Sequence, residues 1–343
     1  MHNFLRVQTT YIVGVATASA FVVGAYILSR SKKEKIPIKW KEVAFLEQLH
    51  LYPLKSGRKI DLETADCTDV GIMESIKFDK SFRLKDRSLV VYSSKDKEAK
   101  TARTHPKLLL IEIETTDMNY ITINAPNMRT LFVKIPNREE NEVVNIIQFN
   151  GEPINSIDCG DEAGHWFSQY LIEKDEGMRL AYNDGKKRRN VEKYYPKLPK
   201  YYKNFGNETT GLHHDIGTLM LMNQVSVDDL NQKLDYDKQI STTQFRPNFI
   251  INGKDLKPFV EDDWDWIKIG DVIVRSVMEC TRCMMTTINQ ETTERNKDME
   301  PLKTLNTFRK TSGPQRGPPM GIYLKLIKGG EIKRGDKIYV GTD

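Results

Sequence analysis

From Trp40 onward, short apolar runs alternate with polar breaks, and the period is that of strands. VAFLEQLHLYPLKSG (43–57) reads as a strand running into a loop at its Pro and Ser-Gly. RSLVVYSS (87–94), KLLLIEIET (107–115) and YITINA (120–125) are further β-rich runs. IKIGDVIV (267–274) and IKRGDKIYV (332–340) each set Gly-Asp between β-branched runs, which predicts a hairpin at both places. Helical periodicity is scarce. It occurs in DEAGHWFSQYLIE (161–173), where Ala163, Trp166, Phe167, Tyr170 and Leu171 share one face and His165 lies beside it as a structural residue. It recurs in SVDDLNQKL (226–234), with Ser226 as the expected N-cap. Many short strands and few helices predict a mainly β (α+β) protein built on a barrel or sandwich.

One stretch is apolar without alternation. Residues 7–29 (VQTTYIVGVATASAFVVGAYILS) carry no charge, and a helix of about 20 residues is what crosses a bilayer. The rival reading is a cleaved secretory signal with Ala18-Ser19-Ala20 at the cleavage site. The apolar run continues past it through Phe21, Val22, Val23, Tyr26 and Ile27, which favours a transmembrane anchor. Arg30, Lys32, Lys33 and Lys35 follow while Arg6 alone precedes, so the bulk of the protein is expected in the cytosol.

The texture changes again at 183–210. Eight Lys or Arg fall within 186–203, interleaved with two prolines and four tyrosines. A solvated linker at a domain boundary is the expectation; RNA contact and docking of an acidic protein are the alternatives. The expected organisation is an anchor with its basic flank (1–39), a β-rich domain (40–182), the basic linker (183–210) and a second β domain (211–343).

A chain of 343 residues has room for two domains, and a net charge of +5 is too mild to argue for nucleic acid. Its cysteines, Cys67, Cys159, Cys280 and Cys283, do not form a disulfide framework, so a reducing compartment is expected. Two of them make the CxxC of MECTRCMMT (278–286). Zinc would need further ligands, and the nearest histidines, His213 and His214, are adjacent to each other and far upstream. A thiol–disulfide switch needs its pair at a helix start, whereas both flanks here look extended. What remains is a lone thiolate bound to a metal or cofactor, with Arg282 beside it, or two inert buried cysteines. Lys55, Arg87 and Arg246 each sit at a strand end as candidate anion ligands, with Ser56 and Asn248 as neutral donors. Pro247 predicts an extended Arg246.

Taken together, LYPLKSG, KDRSLVVY, KTARTHPKLLLI, TQFRPNFIINGKD, EDDWDWIKIGDV, VMECTRCMMTTINQETTE, EPLKTLNTFRK and GEIKRGDKIYVG resemble the MOSC family of molybdenum-cofactor proteins. Within it they resemble the mitochondrial amidoxime-reducing components, over nearly the whole chain. The resemblance implies a β-rich MOSC N-terminal domain followed by a MOSC β-barrel. It makes Cys283 the thiolate ligand of molybdenum and Cys280 its neighbour. Lys55, Ser56, Arg87, Arg246, Asn248 and Thr281 match positions that hold the molybdenum cofactor (Mo-molybdopterin). Asp215 matches less well, because family members carry Asp-Thr-Ser where this chain has Asp215-Ile216-Gly217; Arg103 matches with no role implied.

The implied activity is reduction of amidoximes and hydroxylamines to amidines and amines. Electrons would come from cytochrome b5 and an NADH-dependent cytochrome b5 reductase. The implied location is the mitochondrial outer membrane, single-pass, with the catalytic part facing the cytosol. The basic segment then becomes a candidate docking surface for an acidic haem protein. The rivals are a molybdenum-cofactor carrier or sulfur-transfer protein, which lacks room here for a desulfurase domain, and a non-catalytic membrane-tethered adaptor, which has no need of a thiolate among cations.

Overall fold

The computed structural model describes residues 34–76, 82–116 and 119–342. The anchor expected at 7–29 lies outside the described residues. Among the described residues, no helix is long and apolar enough to cross a membrane. Residues 39–343 form one compact unit.

Its strands are, in chain order, β1 (Trp40–Leu51), β2 (Ile60–Asp61), β3 (Thr64–Thr68), β4 (Gly71–Glu74), β5 (Leu89–Ser93), β6 (Glu112–Thr115), β7 (Tyr120–Asn124), β8 (Leu131–Lys134) and β9 (Val143–Ile147). They continue with β10 (Pro153–Asp158), β11 (Met178–Tyr182), β12 (Leu219–Asn223), β13 (Phe249–Asn252), β14 (Trp266–Ile269), β15 (Val272–Thr281), β16 (Pro319–Lys328), β17 (Gly330–Lys333) and β18 (Lys337–Gly341). The largest sheet closes on itself in the order β1-β13-β12-β16-β15-β14-β18 and back to β1, with β2 added at the end of β1. Only β12 and β13 run parallel within the ring. Six staves come from beyond residue 210 and one, β1, from the start of the described chain.

β12 shows why the ring is stable. All five of its residues, LMLMN, are buried, the continuous apolar run of a strand covered on both faces. Leu219 and Leu221 face the main core with Phe249, Ile251, Ile322 and Leu324. Met220 and Met222 alternate to the other side, against Phe245, Cys280, Leu305 and Met320.

Two sequence expectations hold locally. The helix forms over Asp161–Ile172 and buries Ala163, Trp166, Phe167 and Tyr170, and the first Gly-Asp turns the β14–β15 hairpin. Three others fail for identifiable reasons. The second Gly-Asp does not close a hairpin: β17 pairs with β3 and β18 with β14 and β1, so the turn carries the chain from one sheet into another. The helix near 226 starts earlier, at Gln224, because the Asn223 side chain accepts from Val225 N and caps it. Ser226 instead turns inward and donates to the buried carboxylate of Glu261 at 2.9 Å. Third, the basic segment is not a solvated linker throughout: Val191, Leu198 and Phe205 are buried with Ile216, Val277 and Met278.

Candidate functional site

β15 delivers the CxxC. Three register shifts against β16 interrupt it, the last between Glu279 and Thr281, and each such bulge re-aims the residues that follow. The strand ends at Thr281, and Cys283 precedes a single 3-10 turn, Met284–Thr287, where an extended flank was expected. The two sulfurs part company. Cys280 is 1% exposed within the methionine-rich core, whereas Cys283 is exposed, and both thiols are free. Arg282 turns toward the buried one: its Nη1 donates to Cys280 Sγ at 2.7 Å and its Nη2 to the Phe245 carbonyl at 2.7 Å. Burial pushes the Cys280 thiol up, and Arg282 only partly offsets it.

Cys283 opens into a cleft that Lys55, Ser56, Arg87, Asp215, Arg246, Asn248 and Thr281, the residues matched to the cofactor, also line. Lys55 and Ser56 come from the turn after β1, Arg87 from the turn before β5, and Asp215 from the loop before β12. Arg246 and Asn248 come from the approach to β13, and Thr281 from the end of β15. Three of them hold left-handed backbone: Ser56 at φ 67°, Arg87 at 48° and Arg246 at 58°. With a Cβ present, each costs on the order of 1 kcal/mol, and such strain concentrates where side chains are aimed for function. Arg246 is therefore not extended as Pro247 predicts. It caps the 3-10 turn Thr242–Phe245, donating its N–H to the Thr243 carbonyl at 2.9 Å.

Behind these residues stands Asp86, which the sequence reading passed over. Fully buried, it accepts from Tyr52 N at 2.8 Å, His214 Nε2 at 2.9 Å, Asn248 Nδ2 at 3.0 Å and the Arg87 guanidinium. Burial alone would raise its carboxyl, but Arg87 and His214 outweigh that and hold it at about 2. One ionised carboxylate thus fixes the tilt of an arginine, a histidine, an amide and a backbone turn. Its sequence signal is the acid wedged between Lys85 and Arg87 at a strand entry. Burial also holds His214 neutral, down at about 4 despite Asp86. Asn248 spends its amide internally, donating to Asp86 and the His50 carbonyl and accepting from Met220 N at 3.1 Å.

The front of the cleft is cationic. Lys55, 5% exposed, donates to Asp215 Oδ1 at 2.5 Å and to the His213 carbonyl at 2.8 Å. Burial lowers its ammonium's basicity and Asp215 restores part of it. Burial likewise lowers Arg246 to about 10. Arg246 Nη2 and Arg282 Nε are buried with no hydrogen-bond partner among the described residues. Asp215 is the one carboxylate in the lining, and Lys55 already holds it. Converging cations with unspent N–H groups suit a phosphate-bearing anion, and an exposed thiol suits a soft metal.

Two further residues meet the site from behind and beside. Arg189, from the basic segment, is buried and grips Glu152 with two bonds of 3.0 and 2.6 Å. Its Nη1 also donates to Thr210 Oγ1 and the His214 carbonyl, so it braces the loop that carries Asp215. Arg103 lies over the Phe149 ring at 5.0 Å. It lines both this cleft and a second one, and the two clefts meet at Asp215, Thr281, Arg282, Cys283 and Tyr323. His165 stays exposed and outside the site, near the Asp175 carbonyl. Gly217 admits Tyr323, since a Cβ there would stand 2.5 Å from its ring.

Comparison with known proteins adds the following. Residues 211–339 match the MOSC domain model and residues 43–174 the MOSC N-terminal beta barrel domain model. The chain is 33% identical to mitochondrial amidoxime-reducing component 1 of Danio rerio, covering 97% of this chain and 94% of that one. It is 32% identical to mitochondrial amidoxime reducing component 2 of Homo sapiens, covering 87% and 84%. With mitochondrial amidoxime reducing component 2 of Rattus norvegicus it shares 30% identity over 98% and 95%.

Proposed function

The chain belongs to the family of mitochondrial amidoxime-reducing components with MOSC domains, and from that premise we propose how its own residues carry the family's reaction. It is a molybdenum-cofactor-dependent oxidoreductase that reduces N-hydroxylated compounds, amidoximes and hydroxylamines, to amidines and amines. The substrate takes up two electrons and two protons, the N–O bond breaks, and the oxygen leaves as water.

One observation carries the assignment of residues: an exposed thiol, Cys283, opens into a cleft where Lys55, Arg87 and Arg246 converge from three distant segments. The donor set fits the cofactor, because buried guanidinium N–H groups with no protein acceptor call for an anionic one. Cys283 is the sulfur ligand of molybdenum; Cys280, buried and bonded to Arg282, shapes the strand end. Lys55, Arg87 and Arg246, with Ser56 and Thr281, hold the pterin and its phosphate. Asn248 and Asp215 act one step back, through Asp86 and Lys55. When bound, the molybdenum centre supplies the two electrons of the reduction. The protein's part is to hold and orient that centre.

Electrons come from cytochrome b5 and its NADH-dependent reductase. Lys186, Lys187 and Arg188 are exposed and offer a basic docking face; Arg189, buried on Glu152, is not part of it. The protein is mitochondrial, held by residues 7–29 as a single-pass anchor in the outer membrane with the catalytic unit in the cytosol.

The test is metal analysis and benzamidoxime reduction by the full chain, expressed in a host that makes the eukaryotic cofactor. About one molybdenum per chain is expected in wild type and Cys280→Ala, with activity lost in Cys283→Ala. A metal-free, inactive wild type would leave the non-catalytic adaptor, and activity indifferent to Cys283 would remove that residue as the metal's ligand.

A further inference from the structure

The second cleft differs in chemistry from the first although both reach Cys283. Its lining is aromatic and apolar, with Phe149, Tyr194, Tyr195, Leu198 and Ile216 prominent. Flat rings on a wall of this kind suit a planar ligand, which can stack on them.

Its charge is one-sided. Arg103, Lys197 and Arg316 line it, and Lys197 and Arg316 are exposed at the mouth. Among the described residues none of these three forms an ion pair. The lining's single acid, Asp215, is occupied by Lys55 at 2.5 Å. A ligand entering here therefore passes uncompensated positive charge.

That sign matters for the reaction assigned to the chain. An amidoxime is a weak base and uncharged near neutral pH, whereas the amidine it becomes is a strong base and takes up a further proton. Resting on the reductase reading, we propose that this cleft is the substrate vestibule and that its cations admit a neutral or anionic planar N-hydroxylated compound while disfavouring the cationic amidine product. Substrate and product share a shape, so shape alone could not clear the site after turnover. Charge separates them. Because Lys197 and Arg316 lie at the open mouth, the discrimination is strongest at low ionic strength, where the surrounding water screens it least.

The test compares three ligands on the cofactor-loaded full chain: benzamidine, benzamidoxime and 4-carboxybenzamidoxime. Lys197→Gln, Arg316→Gln and the double variant are set beside wild type, first in calorimetric titrations and then in steady-state inhibition. Removal of each charge should tighten benzamidine binding by about fivefold, the size of one like-charge contact at close range in water. Benzamidoxime should move less than about twofold and the carboxylate compound should weaken by about fivefold, with all shifts shrinking in high salt. Parallel shifts of all three ligands, or none, overturn the vestibule's charge selection. Binding is read without turnover, so the two readings fail separately. A protein that shows the charge pattern but reduces nothing loses the reductase assignment alone; one that reduces benzamidoxime with no charge pattern loses only this inference.

Discussion

Arg87 and Arg246 lie against the ring of one tyrosine, Tyr52, with guanidinium carbons 4.5 and 4.2 Å from its centroid. Two like charges are thus stacked on one ring, and Arg87 Nη2 also donates to the backbone carbonyl of Arg246 at 3.2 Å. Tyr52 is fully buried, and its hydroxyl has no partner among the described residues. The ring holds both cations, and the hydroxyl contributes nothing to that. Tyr52→Phe is expected to keep full molybdenum content and to change unfolding free energy by less than about 0.5 kcal/mol, since deleting an unsatisfied buried group is nearly free. Tyr52→Leu loses two cation–π contacts and packing volume, about 2–4 kcal/mol, and should load poorly. Denaturant melts and metal analysis decide it. Lost loading in Tyr52→Phe would instead make the hydroxyl a cofactor ligand.

Arg189 and Glu152 form a pair whose side chains are 3% and 2% exposed. Breaking it leaves a buried charge, so Arg189→Met alone should cost about 3–5 kcal/mol. Replacing both partners by apolar residues should restore most of that stability. Loading is expected to stay low in the double variant, because Arg189 also bonds the His214 carbonyl at 2.6 Å and braces the loop bearing Asp215. Equilibrium unfolding beside molybdenum content separates the two effects. A double variant with full loading would show that the brace is dispensable.

These two clusters also mark the limit of what the sequence could tell. The 161–172 helix and the β14–β15 hairpin were legible because their contacts are local. Barrel closure was not: it depends on β1 pairing with β13 and β18, strands far downstream whose register no local pattern specifies. The cleft's cations were legible as types at strand ends and through family resemblance. Asp86 was missed because its weight comes from burial and four convergent donors, neither of which leaves a periodic trace. The basic segment misled in the same way. Lys186 and Lys187 are exposed as their charge suggests, but Arg189 beside them is buried by a carboxylate from a different strand region.

Glu261 supplies a dependence on pH that the cofactor site does not enter. It is 0% exposed and receives hydrogen bonds from Ser226 Oγ at 2.9 Å and Asn223 Nδ2 at 3.1 Å. Burial raises its carboxyl from 4.5 to about 7, and the neighbouring Asp262 pushes the same way while the two donors only partly oppose it. A raised folded-state value means that the native protein holds a proton which the unfolded chain gives up more readily. The contribution is therefore complete below about 4.5 and is lost as pH rises to about 7, beyond which the penalty is constant. Its full size is on the order of 3 kcal/mol. Glu261→Gln cannot ionise, keeps one carbonyl oxygen for Ser226 or Asn223, and should lose this slope. Its melting temperature is expected to exceed that of wild type at pH 8 and to equal or fall below it at pH 5. Parallel melting curves for the two proteins across that range would place the buried carboxyl's proton at its ordinary affinity and refute the assignment.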